Sequence, residues 1–551
     1  MGHDARQATV LQTHYPGRTV DHAAAATTVQ PPYDAVVVSA LDTASMREAA
    51  ACLAPMGMLY WPAAPDDAAC AAAGLRRYQA TAPAGTALVH GDYDPAAHAR
   101  QLLGARRPAW AYEVLLNVPN GWVQDLETQA ALAVARQLCL LTLARPAGPA
   151  TRLRHFFAAQ QAFFLASYST PLHPEPYGVQ AAFWRTLGDE RMARRLLDSH
   201  ACAAGLDMDE TPLPLAPAYN RAAPPPMHIP AGPMRLLVII APIFDPAMDV
   251  LYDGLVRLLG AENVTEFPWK PSLHGSRHRE NEDYPIAFDH PGAPKEREQV
   301  CAMLRNQAFD AILFADMRPC LEHQAIEALM TAAGNTPVFA VDGWDDCSDL
   351  QGFLAQLLGR PPRAYFKREL IACHDYGPRA IPLPLSYPEG FMPPEDRATR
   401  RDLDLFWAGR RVHGMRRLFL EHLEAVLGRD LDPNYTQEAY AASLGRARFA
   451  LSLCGFGFDT LRYWEAPAHG ALLVAEKPPI VLPNDFTDGQ NALLFNDLPE
   501  LVEKLRYGLE QPPETLAAMA AAGQAHVRRH HTNTARASQL LGHMARLLPT
   551  A

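Results

Sequence analysis

Between Leu451 and Val474 the chain reads LSLCGFGFDTLRYWEAPAHGALLV, and the residue types in this stretch could hold a phosphorylated ligand. Gly455 and Gly457 punctuate a short loop and leave backbone N–H groups unpaired just where a helix begins near Thr460. A helix start carries partial positive charge and unbonded donors, a natural seat for a phosphate or diphosphate. Glu465 follows about one and a half turns later, within reach of a sugar hydroxyl when the diphosphate sits at the helix start. That chemistry is a nucleotide-sugar site. The same spacing also fits an ordinary strand–turn–helix carrying a surface glutamate.

The elements that would position these residues form an alternating pattern. From Met234 onward, MRLLVIIAP, FDAILFADM and TPVFAVDGWDD are strands separated by amphipathic helices. Near-continuous apolar strands of this kind predict a parallel sheet covered on both faces. Ligands of such sheets bind beyond the carboxyl ends of the strands, which places 242–245, 316–318 and 342–346 along one rim. A second unit begins near Asp402 with DLDLFWAG, followed by MRRLFLEHLEAVLG, YTQEAYAASLGRA and FALSLCG. The fold class expected is α/β, with two tandem Rossmann-like domains over residues 234–385 and 386–551.

Upstream the composition changes. Residues 1–85 read as a polar tail and a small α/β unit, with a strand from Tyr33 to Asp42, a helix from Thr43 to Leu53 and an apolar piece GMLYWP. This unit resembles the late strands of a class I methyltransferase, but no glycine-rich cofactor loop precedes Tyr33. Residues 86–210 are alanine- and leucine-rich with helical spacing. AAFWRTLGDERMARRLLDSHA, with Trp184, Leu187, Gly188, Ala193 and Leu197, resembles a tetratricopeptide unit. Two readings stay open there, a protein-docking module or a plain helical domain with core tryptophans. The stretch 211–233 is too proline-rich for helix or sheet and reads as the main linker.

Composition excludes several function classes. The 551 residues carry a net charge of −11, which argues against bulk nucleic-acid binding, since that needs cations to replace phosphate counterions. No apolar run approaches the roughly 20 residues needed to cross a bilayer, and the first residues lack the apolar core of a signal peptide. Nine cysteines, none in a C-x-x-C pair, read as reduced thiols in a cytoplasm, with neither zinc site nor disulfide framework.

The block from Tyr435 to Leu540 resembles the C-terminal half of GT-B glycosyltransferases, nearest to the spore-maturation (CgeB-like) group. YTQEAYAASLGRARFALSLCG, GFDTLRYWEAPAHGALLV, NDFTDGQNALLFNDLPELVEKLRYGLEQPPE and AAAGQAHVRRHHTNTARASQLL carry the likeness. Upstream, AYFKREL and AVDGWDD extend it to about residue 234. The resemblance implies a hexosyltransferase-type enzyme that moves a sugar from a nucleotide-sugar donor to a protein or glycan acceptor, with no cofactor and no bound metal. It makes Glu465 the ribose contact and gives the diphosphate to the backbone from Gly455 to Thr460. It also implies a basic residue on that diphosphate at Arg410 or Arg411, and arginine's forked donors suit phosphate oxygens. Lys367 and Arg368, at the crossover between domains, add charge to the cleft. Arg462 shares the helix face of Glu465 and is placed to pair with it. One departure stands out. Many retaining relatives carry a second glutamate eight residues before the ribose-binding one, and here that position is Gly457.

Breaking the anomeric C–O bond requires stabilisation of a departing diphosphate, which arginine, lysine and a helix N-terminus supply as fixed positive poles. An inverting reaction also needs a general base, for which Asp316, Asp342 and His274 are candidates. In a retaining reaction the leaving phosphate takes the proton itself. The pair His530 and His531 has no third ligand at metal spacing and reads as cap and packing, with Thr532 or Asn533 the N-cap. Two rivals remain: a catalytically silent scaffold that binds a nucleotide sugar or a partner through its helices, and an epimerase or phosphorylase using the same cleft.

Overall fold

Runs such as LLVI and AILF are buried along their whole length, so both sheet faces are covered and the strands need no polar alternation. The computed structural model describes residues 33–37, 46–47, 50–51, 53–61, 66–82, 85–116, 118, 125–208, 234–243, 245–275, 287–317, 320–394, 401–431 and 435–548. The chain divides into two units, residues 1–147 with 158–170, and residues 148–157 with 171–551. The proline-rich 211–233 stretch lies outside the described residues.

In the first unit β1 (Tyr33–Val37) runs parallel to β2 (Leu53–Trp61), and β3 (Leu75–Ala82) and β4 (Gly85–His90) complete a sheet of order β1-β2-β4-β3. The second strand starts at Leu53, where the sequence pattern puts the end of a helix. Helices α1 (Asp67–Ala72), α2 (Pro95–Gly104), α3 (Pro108–Leu116) and α4 (Leu126–Ala144) follow. Asp94 and Asp125 cap α2 and α4 by accepting from Ala96 N–H at 2.8 Å and Thr128 N–H at 2.7 Å.

The second unit takes residues 149–157 of α5 (Pro149–Ser169) and the hairpin of α6 (Pro174–Thr186) and α7 (Glu190–Ala204). Trp184 is buried, with its ring 4.6 Å from that of Phe156, so it is a core tryptophan. Its α/β portion holds two Rossmann-like sheets in tandem. The first has β5 (Leu236–Ile239), β6 (Val264–Phe267), β7 (Ala311–Phe314), β8 (Val338–Asp342), β9 (Tyr365–Lys367) and β10 (Ala380–Pro382). All pairs are parallel, in order β10-β9-β8-β7-β5-β6. Helices α8 (Pro246–Leu259), α9 (Arg297–Arg305), α10 (His323–Ala333) and α11 (Gln351–Leu357) connect them. The sequence pattern does not foretell β10, a three-residue edge strand whose Pro382 is tolerated only at an edge.

The second sheet is β11 (Leu403–Phe406), β12 (Ala447–Ser452), β13 (Leu472–Glu476) and β14 (Leu493–Phe495), parallel and in chain order. Its helices are α12 (Arg416–Leu427), α13 (Gln437–Arg446), α14 (Leu461–Ala468), α15 (Leu498–Glu510), α16 (Pro513–His530) and α17 (Asn533–Leu547). The last helix crosses back to the first sheet's side, where Leu540, Leu541 and Met544 are fully buried with Val250, Leu251 and Leu255. Each such burial contributes about 1.5–3 kcal/mol, so α17 fastens the two domains together. Thr532 caps it, accepting from Ala535 N–H at 3.1 Å. Helix α7 joins the second domain through Arg195 Nη2, which donates to Lys477 O at 2.9 Å, and Ser199 Oγ, which accepts from Leu498 N–H at 3.1 Å.

Candidate active site

The carboxyl ends of β11 and β12 bring the AGRRVHG turn beside the CGFGFDT loop, and α14 starts there. Helix α14 begins at Leu461 with Thr460 in the cap position and no side chain capping it. Thr460 Oγ1 instead meets Ser452 Oγ at 2.9 Å. The glycine loop spends much of its donor capacity on acceptors of the protein itself. Cys454 N–H donates to Glu476 Oε2 at 2.9 Å and Gly455 N–H to Gly457 O at 2.9 Å. Phe458 and Asp459 N–H both donate to Glu369, each at 3.0 Å. The N–H of Gly455, expected to be free, is therefore engaged, while the N–H of Gly457 has no acceptor among the described residues.

A concentration of positive charge lies at Gly409, whose φ of 145° is glycine territory. A Cβ there would sit 3.6 Å from Nη1 of both Arg416 and Arg462, and 3.5 Å from Cζ2 of Trp407. Like charges gather this closely only where something else holds them. Arg416 is held by carbonyls, donating to Cys454 O at 3.0 Å, Arg410 O at 3.1 Å and Leu453 O at 3.1 Å. Burial, then the neighbouring Arg462, pull its guanidinium down to about 10. The Nε of Arg462 and the indole N–H of Trp407 are buried and have no acceptor. Buried donors without acceptors cost about 1–3 kcal/mol each, and an anion bound at this place would satisfy them. Arg410 is exposed beside them, with no ion-pair partner among the described residues.

Glu465 is buried on α14, and its Oε2 accepts from Tyr440 Oη. Burial raises its pKa, an effect partly offset by the Tyr440 hydrogen bond and the Arg462 charge. Arg462 is not within ion-pair distance of Glu465, so the pairing expected on this helix face does not form. Glu465 Oε1 accepts no hydrogen bond among the described residues and is available to a ligand.

The other sequence candidates lie apart from this cluster. Arg411 turns away, pairing with Glu424 and donating to Leu431 O at 2.9 Å. Lys367 and Asp342 are both fully buried and form an ion pair at 2.7 Å, with Lys367 also on Asp346 O at 2.6 Å and Tyr365 Oη on Asp342. This pair fixes the ends of β8 and β9 and faces no open space. Asp316 accepts from Cys320 and Leu321 N–H. His274 stacks on Trp269 at 3.7 Å, with Nδ1 on His290 O at 2.7 Å and Nε2 on Glu266 at 2.9 Å. Both ring nitrogens are engaged, which leaves no lone pair for an acceptor hydroxyl. His531 contacts Asn484 O at 2.7 Å and lies 4.3 Å from the Trp464 ring, a packing role. Among the described residues no group of three His, Cys, Asp or Glu side chains converges as a metal site.

Sequence reasoning missed Trp407, Arg416, Tyr440, Asp345 and Glu369. Arg368 links the two domains beside the glycine loop. It donates to Gly343 O at 3.0 Å and to Asp459 O, and pairs with Asp345 at 2.8 Å. Asp459 accepts from Trp464 Nε1 at 2.8 Å and Leu385 N–H at 2.5 Å. A Cβ at Gly457 would lie 2.5 Å from Asp345 Oδ1 and 2.5 Å from Glu369 Oε1. The place beside residue 457 is filled by carboxylates of the facing domain. Glu369, Asp345 and Tyr440 fall inside the AYFKREL, AVDGWDD and YTQEAYAASLGRA likenesses, but no spacing singles them out within those segments.

No curated protein matches the chain. Among solved structures, Anabaena HepE in complex with UDP-glucose is similar at 11% identity, over 57% of this chain and 100% of that one, with a TM-score of 0.35. A mutant of Thermobaculum terrenum O-GlcNAc transferase covers 82% of this chain and 96% of its own at 11% identity and TM-score 0.33. Sucrose-phosphate synthase from Thermosynechococcus elongatus covers 57% and 99% at 12% identity and TM-score 0.32. Residues 408–542, which hold the AGRR turn, the glycine loop and Glu465, match the family described as glycosyl transferase-like, so this C-terminal segment is similar to glycosyl transferases.

Proposed function

We propose that the protein is a glycosyltransferase that moves a hexosyl group from a nucleotide-sugar donor to a protein or glycan acceptor without a bound metal. The observation that carries this reading is the set of buried donors lacking acceptors around Gly409, at the start of the segment that matches glycosyl transferases. In the reaction the anomeric C–O bond to the diphosphate breaks and a C–O bond to the acceptor oxygen forms. Arg462, Arg410 and the start of α14 balance the charge of the departing diphosphate. Glu465, through its open Oε1, takes a ribose hydroxyl. The acceptor hydroxyl's proton goes to the leaving phosphate, in keeping with the engaged state of His274, Asp342 and Asp316.

That engaged state also favours a second reading, a scaffold that binds a nucleotide sugar without turnover. Titration of the full chain with UDP-glucose, UDP-N-acetylglucosamine and GDP-mannose tests the first step of both. Binding by the wild type that Arg462→Ala weakens about tenfold or more, the loss of a charged contact to phosphate, supports the donor site. Absence of binding to every donor refutes both readings. Sugar transfer to water or an added acceptor then separates enzyme from scaffold.

A further inference from the structure

Three carboxylates surround the Arg368 guanidinium: Asp345 at 2.8 Å, Asp459 at 3.5 Å and Glu369 at 3.6 Å. Two of them are spent. Glu369 accepts the N–H groups of Phe458 and Asp459, and Asp459 accepts from Leu385 N–H and Trp464 Nε1. Both side chains are only 1% exposed. The Asp345 side chain is 39% exposed, and among the described residues its one ion pair is with Arg368, through Oδ1.

Asp345 belongs to the segment after β8, in the first Rossmann-like domain, yet it lies against Gly457 in the second. Gly455 and Gly457 are bonded across the same turn, and a Cβ at Gly455 would lie 2.7 Å from Arg416 Nη2. An acid of one domain and a cation of the other thus lie against the same glycine turn. The cation side holds the donors without acceptors, the Arg462 Nε and the Trp407 indole N–H. These point independently to an anionic ligand there. A sugar esterified to that anion presents hydroxyl donors to the turn, and Asp345 offers a charged acceptor already oriented by Arg368. Its negative charge also repels phosphate, which keeps the diphosphate on the arginine side.

We infer that Asp345 is the carboxylate that accepts a hydrogen bond from a hydroxyl of the transferred sugar, supplied by the facing domain to a donor site otherwise built by residues 407–465. This assignment rests on the nucleotide-sugar reading above. It also explains why position 457 holds no acid of its own. No side chain fits there, because Asp345 and Glu369 already occupy the space.

The test measures dissociation constants of the full-length wild type, Asp345→Ala and Asp345→Asn. The probes are UDP-glucose, UDP-N-acetylglucosamine and GDP-mannose, each set against its own nucleoside diphosphate, UDP or GDP. Asp345→Ala is expected to weaken the nucleotide sugar about tenfold while leaving the nucleoside diphosphate within about twofold. Asp345→Asn keeps the side chain's shape and an acceptor oxygen and falls between. A wild type that binds both kinds of ligand, with Asp345→Ala weakening both alike or neither, overturns the assignment alone. A wild type that binds none of the probes overturns the donor-site reading and the assignment with it. Thermal melting of each variant, unchanged from wild type, excludes loss of the fold as the cause.

Discussion

Replacing Gly457 by alanine adds one methyl group at the point where the two Rossmann-like domains touch. Its φ lies outside the left-handed region, so alanine meets no backbone strain and the cost is steric. The new Cβ would lie 2.5 Å from Asp345 Oδ1 and 2.5 Å from Glu369 Oε1. Asp345 is half-exposed and can swing aside. Glu369 cannot, because its two oxygens hold Phe458 and Asp459 N–H at 3.0 Å each. Moving Oε1 back to ordinary contact leaves the buried Asp459 N–H without its acceptor, which costs about 1–3 kcal/mol, and strain adds about 1 kcal/mol. The expected destabilisation is about 2–4 kcal/mol. For a unit of this size that lowers the melting temperature by about 3–6 °C. Differential scanning calorimetry of the full chain reads it, and Gly457→Ala combined with Glu369→Ala should recover part of the loss, since the clash disappears with the carboxylate. A Gly457→Ala protein melting within a degree of wild type would mean that Glu369 and Asp345 do not fill the place beside residue 457.

Glu369 gives a pH signature. Burial and the adjacent Asp345 and Asp459 charges, against the pull of Arg368, push its carboxyl from the ordinary 4.5 up to about 8. Between those values the folded chain holds a proton that the unfolded chain has released, so stability is greatest below pH 4.5 and falls as the pH rises to 8. The interval corresponds to at most about 5 kcal/mol. Melting curves from pH 5 to 8 should fall more steeply for wild type than for Glu369→Gln, and parallel curves would falsify the assignment. Trp407→Phe removes a buried N–H that has no acceptor; the melting temperature should not drop, while nucleoside diphosphate binding weakens about tenfold. Unchanged affinity in Trp407→Phe would place the bound anion elsewhere.

Periodicity foretold the strand–helix alternation because buried parallel strands are apolar throughout and their helices are one-sided, and both patterns are local. It also placed Glu465 on a helix behind a glycine loop, since turn, cap and helix are written within fifteen residues. The pairs that decide which charges are free are not local. Arg411 and Arg416 look alike in the sequence, yet Arg411 finds Glu424 on the following helix whereas Arg416 threads back under the loop carbonyls. Lys367 was expected in the cleft, but its partner Asp342 lies on the adjacent strand, and the parallel register of β8 with β9 sets Asp342 opposite Lys367. A register-dependent contact of this kind has no signature along the chain.

Position 457 shows what a missing motif residue does and does not imply. A glutamate there would have to share its volume with two carboxylate oxygens that already approach a single β-carbon to 2.5 Å. It would also bring a further negative charge among Asp345, Glu369 and Asp459, which have Arg368 as their common cation. Crowding like charges in a buried place raises their pKa values or drives the groups apart, so a fourth acid would loosen the contact between the domains. Glycine at 457 is therefore coupled to the acids opposite it. If a carboxylate is needed beside the bound sugar, this chain provides it across the cleft, and the site is complete only while Glu369 and Arg368 hold the Phe458–Asp459 backbone in place. Asp345→Ala in the full chain keeps Arg416, Arg462 and Glu465 and removes only that acid, so it should retain affinity for a nucleoside diphosphate and lose discrimination for the sugar.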